Sequence, residues 1–463
     1  MASTADGNRG RAAVTGGLSS RLRHAFLARL EEVHRPAALT PRRVAGRSAF
    51  AGKATAVIGM RRAGKTTYLH QLRAERGSAG VPATHLPFLS LEDERLRELD
   101  GSTLGALIDE YTDRHRLATH ADAHTPMCWF LDEIQIVPGW ERLVRRLLDA
   151  DGTEVFVSGS SAALLSREIA TELRGRAWQV LMNPFGFDEA LRHRGVTLPE
   201  TPPLLPRTER MRVEEAFLEW LESGGFPEAQ GLDIATRRRL LTDYVDVALL
   251  RDVIDRYGVT NIVGLRWLAR QLLANAGAMF SVEKFHRALR SQGIAIARDT
   301  VHHHLSCLED SFLVRTVWME TASVRQRMVN PRKAYPIDSG LISVYDRTGR
   351  ANTGHALETA VLIELERRGS EVTYVRTPQG FEVDFLARHL DGTIELIQVC
   401  ADATEAATAD RELRALAAAG QAFPSATQSL LTLDHRSLPA EVPTGVRAQP
   451  AYEWILAAAV EVA

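Results

Sequence analysis

The stretch ATAVIGMRRAGKTTYLHQL, residues 54–72, decides how this chain is read. Within it, Gly59-Met60-Arg61-Arg62-Ala63-Gly64-Lys65-Thr66 fits GxxxxGK[ST], the pattern of a loop that cradles phosphate. The flanks agree. Ala54 to Ile58 is a short apolar run suited to a buried strand, and from Thr67 onward Leu69 and Leu72 recur at helical spacing. A strand, a glycine-rich turn and a helix start bring backbone N–H groups and the positive end of a helix dipole to one point. Gly59 and Gly64 allow backbone geometry that a side chain would block. Lys65 supplies charge for the outer phosphates, and the Thr66 hydroxyl is a magnesium ligand. Arg61, Arg62 and Thr67 are further phosphate-binding candidates on the same loop.

A second strand carries the acids that hydrolysis needs. Met127 to Leu131 (MCWFL) is apolar and ends in Asp132-Glu133. A strand's C-terminal end is where a parallel α/β sheet presents its chemistry. Asp132 is placed in the magnesium shell, and Glu133 is the group expected to polarise an attacking water. A third run, Glu154 to Val157, leads into Ser158-Gly159-Ser160-Ser161. Ser160 and Ser161 are candidates to sense the outer phosphate; the alternative is a helix cap, a role serine also favours. Arg174 and Arg176, in Leu173-Arg174-Gly175-Arg176, are either arginine fingers, in cis or across the boundary of a homo-oligomer, or plain surface charges.

Composition narrows the classes. A chain of 463 residues with 45% hydrophobic and 25% charged content is long enough for about three globular domains. No apolar run reaches the ~18 residues that cross a bilayer. Cys128, Cys307 and Cys400 are far apart and lack metal or redox spacing, which points to a reducing, cytoplasmic setting. The N-terminus has no secretory apolar core; its arginines resemble a transit peptide, but Asp6 and the lack of an amphipathic stripe argue against one. Net charge is only −2, yet it is uneven. Residues 1–53 hold ten basic and three acidic residues, and residues 261–333 hold eleven and five. Such zones suit contact with a polyanion, or are simply solvated faces.

The organisation follows. Residues 1–40 read as a basic tail, disordered to about Gly17, then a helix from Arg21 to Val33. Residues 41–190 alternate strand and helix, which predicts a parallel sheet, with its second strand at His85 to Leu91 and a helical run from Glu92. Residues 191–259 read as a helical lid broken at Gly224-Gly225-Phe226-Pro227. Residues 260–333 give helix, turn, helix and strand, the order of a winged helix-turn-helix. Its second helix, Thr300 to Asp310, is expected to show Arg298, His302, His303 and His304 outward, facing DNA. The alternative is a helical packing module that touches only protein.

Residues 334–463 read as a separate α/β unit. Glu358 falls on a helix, Asp384 on a strand, and the next strand reads Leu396-Ile397-Gln398-Val399-Cys400. This is the layout of a restriction-endonuclease-like metal site, except that Gln398 stands where an acid is expected and Cys400 where a lysine is. Glu395 is an odd step from Gln398 and so faces the other side of its strand. Two acids are a thin cage for magnesium, so a degenerate nuclease fold kept for docking is the preferred expectation.

Across residues 45–450 the chain resembles a family of bacterial and archaeal predicted AAA-type P-loop ATPases with a C-terminal restriction-endonuclease-like domain of unknown function. The resemblance rests on GMRRAGKTT, FLDEIQ, SGSSA, LRGR followed by NPFGFDE, GGFPEA, LLRDVIDRYGV, YPIDSGL, GFEVDFLA, LIQVC and DRELRAL. It implies an AAA-like ATPase fold with ATP and Mg2+, and Lys65, Thr66, Asp132 and Glu133 match its ATPase motifs. The expected function is an ATP-hydrolysing, DNA-associated switch or remodeller, with ATP between sheet and lid. Two rivals stand beside it, an ATP-gated nuclease and a signalling or scaffold ATPase that binds a protein partner.

Overall fold

The computed structural model describes residues 20–31, 40–44, 49–50, 52–118, 125–160, 175–196, 205–323, 325–326, 330–346 and 352–461. The tail before Gly17, Ser161 and Arg174, all named above, lie outside these residues. The chain separates into two compact units. The first comprises residues up to Gly59 together with Gly64–Met182, and the second comprises Met60–Ala63 and Asn183–Ala463.

The first unit is built on a five-stranded sheet. Strands β1 (Ala54–Ile58), β2 (Phe88–Ser90), β3 (Met127–Asp132), β4 (Thr153–Gly159) and β5 (Ala177–Leu181) lie in the order β2-β3-β4-β1-β5. Every neighbouring pair is parallel. The apolar runs read from the sequence are buried at every position of β1 and β3, as sheet strands covered on both faces must be. Helices α1 (Ser20–Glu31), α2 (Lys65–Ser78), α3 (Gly101–Ala118) and α4 (Trp140–Leu148) complete the unit. Tyr68, Leu69 and Leu72 of α2 pack with Val57, Phe130 and Phe156 of the sheet in one core cluster. The helical run expected from Glu92 starts later, at Gly101. Two local caps explain the delay. Asp93 accepts from Arg95 N and closes a single tight turn, Glu94–Leu96, and Asp100 accepts from Thr103 N at 2.7 Å to begin α3.

The second unit begins with α5 (Phe187–His193), α6 (Arg207–Ser223) and α7 (Ile234–Val247). Asp233 caps α7 by accepting from Ala235 N and Thr236 N. The helix then continues as a π-helical stretch, Ala248–Ile254, in which Asp252 is buried. Next come α8 (Ile262–Ala274), β6 (Met279–Phe280), α9 (Val282–Ser291), α10 (Arg298–Asp310), β7 (Val314–Met319) and β8 (Arg332–Pro336). Strand β8 pairs antiparallel with both β7 and β6. After α11 (Gly340–Tyr345) and α12 (Thr353–Arg367) follow β9 (Glu371–Arg376), β10 (Glu382–Arg388), β11 (Ile394–Val399), α13 (Ala406–Ala422), β12 (Thr427–Thr432), β13 (Val446–Pro450) and α14 (Ala451–Glu461). All these strands form one eight-stranded sheet, β13-β12-β11-β10-β9-β7-β8-β6, joined where β7 lies parallel to β9. Its main core gathers Phe217, Tyr335, Tyr374, Phe385 and Tyr452.

One expectation on α10 is corrected. His302 and His303 are exposed, but His304 is 1% exposed. Val301, His304, Leu305 and Leu308 are spaced i, i+3, i+4 and i+7, so the helical period places His304 on the core face. Burial, with the neighbouring His303 charge second, lowers its pKa to about 4. The unfolded chain takes up that proton below about pH 6.5, so the fold loses stability as pH falls from about 6.5 toward 4, by up to ~3 kcal/mol. His304→Leu is expected to flatten the melting temperature between those pH values. An unchanged slope would mean that another group titrates.

Candidate nucleotide site

The first unit's chemistry gathers at the C-terminal ends of β1, β3 and β4. Strand β4 lies between the other two, and Ser158 at its end reaches Asp132 and Glu133 at the end of β3. Gly59 leaves β1 at φ 152°, and a Cβ placed there would sit 2.1 Å from the Met182 carbonyl oxygen. Only glycine lets the loop pass this close to the backbone after β5. Gly64 caps α2 with a left-handed φ of 99°, and Arg62 between them is also left-handed at 67°. The turn therefore has the local conformation that a phosphate cradle needs at the start of a 14-residue helix.

Lys65 and Thr66 open α2 and face the acid pair of β3. The Lys65 ammonium is 3.4 Å from Glu133 Oε1, with both side chains buried. The Thr66 hydroxyl donates to Asp132 Oδ2 at 2.9 Å. On its other oxygen Asp132 accepts from the Ser158 hydroxyl, and Ser158 Oγ in turn accepts from Glu133 N at 2.9 Å. Glu133 adopts a left-handed conformation (φ 54°, ψ 46°) and accepts from Gln135 Nε2 at 2.5 Å. A left-handed glutamate costs about 1 kcal/mol or more, and such backbone outliers cluster at functional sites. Burial pushes the Asp132 pKa up to about 6, with the Glu133 charge adding to it. The Ser158 and Thr66 hydrogen bonds and the Lys65 charge oppose that rise. A divalent cation beside Asp132 would favour its charged form, and the hydroxyl and carboxylate present are hard oxygen ligands of the kind magnesium takes. The cradle and this donor set therefore fit a magnesium–triphosphate.

The remaining candidates are placed as follows. Thr67 lies on α2 directly after Thr66, and Ser160 is fully buried just beyond β4. Arg61 and Arg62 belong to the second unit. Arg61 pairs with the buried Asp252 at 3.0 Å, and Arg62 pairs with Glu228 at 3.1 Å, its guanidinium 5.9 Å from the Tyr244 ring centre. Arg176 forms an ion pair with Asp149 at the exposed rim of β5. Three contributors were missed from the sequence. Ser158 was passed over for its neighbours, although it directly follows the apolar run of β4. Gln135 follows Glu133 by two residues. Asp252 is one of two charged residues, with Arg251, in the helical stretch ALLRDVI, and no local pattern marks it.

In the second unit Glu358 of α12 and Asp384 of β10 do converge, but on a lysine. Lys333 Nζ lies 3.0 Å from Glu358 Oε1 and 2.8 Å from Asp384 Oδ1. Gln398 spends its side chain on Asp384 N at 3.3 Å and Glu412 Oε2 at 2.7 Å. Cys400 donates to the Asp402 carbonyl, and burial with the nearby Glu412 charge raises its thiol pKa to about 11. Glu395 faces the other side of β11, accepting from Ser429 and paired with His389, as its odd spacing requires. Among the described residues, no group of three histidine, cysteine, aspartate or glutamate side chains is arranged to hold a metal.

Comparison with known proteins fits this geometry. Residues 51–191 match the family model described as an AAA domain, and residues 214–350 match a domain of unknown function. The uncharacterised protein MJ1544 of Methanocaldococcus jannaschii is 30% identical over 368 residues, covering 78% of this chain and 78% of that protein. The chain belongs to the MJ1544 family, and its residues 51–191 are similar to an AAA domain. An uncharacterised protein of Haemophilus influenzae is 27% identical, covering 72% of this chain and 79% of that protein. Among solved structures, the Walker-type ATPase PABY2304 of Pyrococcus abyssi is 15% identical, with 70% of this chain and 95% of that chain covered at a TM-score of 0.34. The Orc1 protein of Aeropyrum pernix, solved in complex with DNA, is 14% identical, with 70% and 91% covered at a TM-score of 0.26. Among the described residues, no helix is long and apolar enough to cross a membrane.

Gly59→Ala tests the cradle. The added Cβ must displace backbone, so the variant is expected to lose about 2 kcal/mol or more of stability and to weaken nucleotide binding. A melting temperature and nucleotide affinity equal to the parent's would show that the loop does not depend on this close approach.

Proposed function

We propose that this protein is an ATPase whose turnover is coupled to contact with DNA. The observation that carries the first half is the pairing of Lys65 with Glu133 and of Thr66 with Asp132 at the end of one parallel sheet. In this reading Gly59, Gly64 and the α2 N-terminus hold the phosphates, and Lys65 neutralises the charge that develops on the transferred group. Thr66 and Asp132 would hold Mg2+, which supplies Lewis-acid polarisation of the phosphates. Glu133 is the water-orienting base, steadied by Gln135 and by its own backbone bond to Ser158. The test is a pair of substitutions. Lys65→Ala is expected to abolish nucleotide binding, while Glu133→Gln keeps binding and lowers turnover by about two orders of magnitude or more. A Glu133→Gln protein that releases phosphate at the parent's rate refutes the assignment.

The DNA half rests on residues 260–333, read as a winged helix-turn-helix. Its helices α9 and α10 are followed by the antiparallel pair β7 and β8, the arrangement of two helices and a wing. Lys284, Arg287 and Arg290 on α9, and Arg298 at the start of α10, are all exposed, against exposed acids Glu283 and Asp299. A face with that excess suits a phosphate backbone. Cleavage is not part of this reading, since Glu358 and Asp384 already share an ammonium. DNA affinity is expected to fall steeply with salt. Replacing Lys284, Arg287 and Arg290 together by Ala is expected to flatten the log–log slope by about 2 to 3. A slope unchanged by the triple substitution would move the contact elsewhere; no salt-dependent affinity at all would favour a protein partner.

A further inference from the structure

Lys333 is a charge held inside the second unit. It lies on β8 and is 3% exposed. Its ammonium has three N–H donors, and three carboxylates meet it. Asp384 Oδ1 is at 2.8 Å, Glu382 Oε1 at 2.9 Å and Glu358 Oε1 at 3.0 Å. The acids come from two elements, α12 and β10, and Lys333 from a third. Two of the acids have a further partner: Asp384 Oδ2 accepts from Val399 N at 3.0 Å, and Glu358 Oε1 also accepts from the fully buried Tyr335 hydroxyl at 2.6 Å. The backbone is shaped to the cluster. The β9–β10 register shifts between Val383 and Leu386, an irregularity that falls at Asp384 and re-aims it. Gly277, at φ 74°, lies so close to Glu358 that a Cβ there would be 2.8 Å from Oε2.

Three carboxylate oxygens, the ligand type of a hard cation, lie within 3.0 Å of one point, although with the lysine in place they are not arranged as a metal cage. A lysine ammonium occupies that point. We propose that Lys333 is a built-in cation that closes a three-carboxylate site formed by Glu358, Glu382 and Asp384, and that removing its charge opens the site to a divalent or trivalent metal ion. The closure is electrostatically self-consistent. Burial alone works against the ammonium, but Asp384, Glu358 and Glu382 together outweigh it and raise its pKa, so the plug stays charged throughout the physiological range. Without the lysine the buried acids would repel one another, and a metal ion is the simplest replacement. The parent therefore carries no resident metal here and has no metal-dependent phosphodiester cleavage at this place. The inference stands on this cluster alone and does not depend on the nucleotide or DNA reading.

The experiment uses the full chain without nucleotide and Tb3+ as probe, because Tyr335 beside Glu358 can sensitise its luminescence. Mn2+ titration by calorimetry runs in parallel. The parent is expected to give no Tb3+ signal that Asp384→Asn removes. Lys333→Ala is expected to gain about one ion per chain, bound at least about tenfold more tightly than by the parent, and to melt higher with Mn2+ than without it. Adding Asp384→Asn to Lys333→Ala should abolish both gains. A Tyr335-sensitised parent signal that depends on Asp384 would mean that metal and lysine share the site, and it would overturn the proposal. If Lys333→Ala does not fold even with Mn2+, Lys333→Gln carries the same measurement. If neither variant acquires the site, the proposal fails.

Discussion

One buried carboxylate organises the first unit. Asp132 sits at the end of β3 and takes a hydroxyl on each oxygen, from Thr66 at the start of α2 and from Ser158 at the end of β4. Ser158 reaches it because β4, which lies between β1 and β3, is paired directly with β3. The sheet order is therefore a requirement of the site. Without β4 beside β3, Ser158 would not stand between Asp132 and the Glu133 backbone, and the left-handed glutamate would lose the hydrogen bond to its backbone N–H. Burial raises the energy of the Asp132 anion, and two hydroxyl donors and a lysine offset part of that cost. Such a poised group suits a place where a cation is to arrive.

The second unit solves the same problem differently. Lys65 and Lys333 are both almost fully buried, and both meet acids. Lys65 pairs with Glu133 at the end of β3, and its charge also bears on Asp132. Lys333 faces three, one for each of its protons. The first arrangement leaves chemistry to be completed by a ligand; the second completes itself. Seen this way, the absence of an acid at Gln398 and of a lysine at Cys400 has a local rationale. Gln398 is fully engaged with Asp384 N and Glu412, and the position of the cation is served from another strand.

How much of this was legible in the sequence follows from how far each interaction reaches along the chain. The loop from Gly59 to Thr66 is contiguous, and so is the acid pair that ends β3, so both read directly. The strands at Met127, Glu154 and Glu382 announce themselves as apolar or alternating runs. Ser158 did not stand out, because its value depends on strand order, which no local pattern encodes. Lys333 lies 25 and 51 residues from Glu358 and Asp384, and only the folded sheet brings them together. The signal that existed was modest: Lys333 and Tyr335 alternate onto one face of a short strand otherwise built for burial. His304 was a different kind of miss. Three adjacent histidines suggest chemistry, while the helical period assigns the third to the core.

The parallel seam between β7 and β9 has a mechanical meaning. Trp318 and Met319 pair with Thr373 and Tyr374, so the small strands after α10 and the large strands after α12 share one hydrogen-bonded plate. Neither half can be cut away cleanly. Trimming the chain there would bare a long, pairing-competent strand border with nothing to cap it, the sort of surface that recruits other chains and precipitates. For the intact molecule the same continuity works as a stiff yoke. A force on the helices that precede β7 can pass through the backbone bonds of this seam to the strands on its far side.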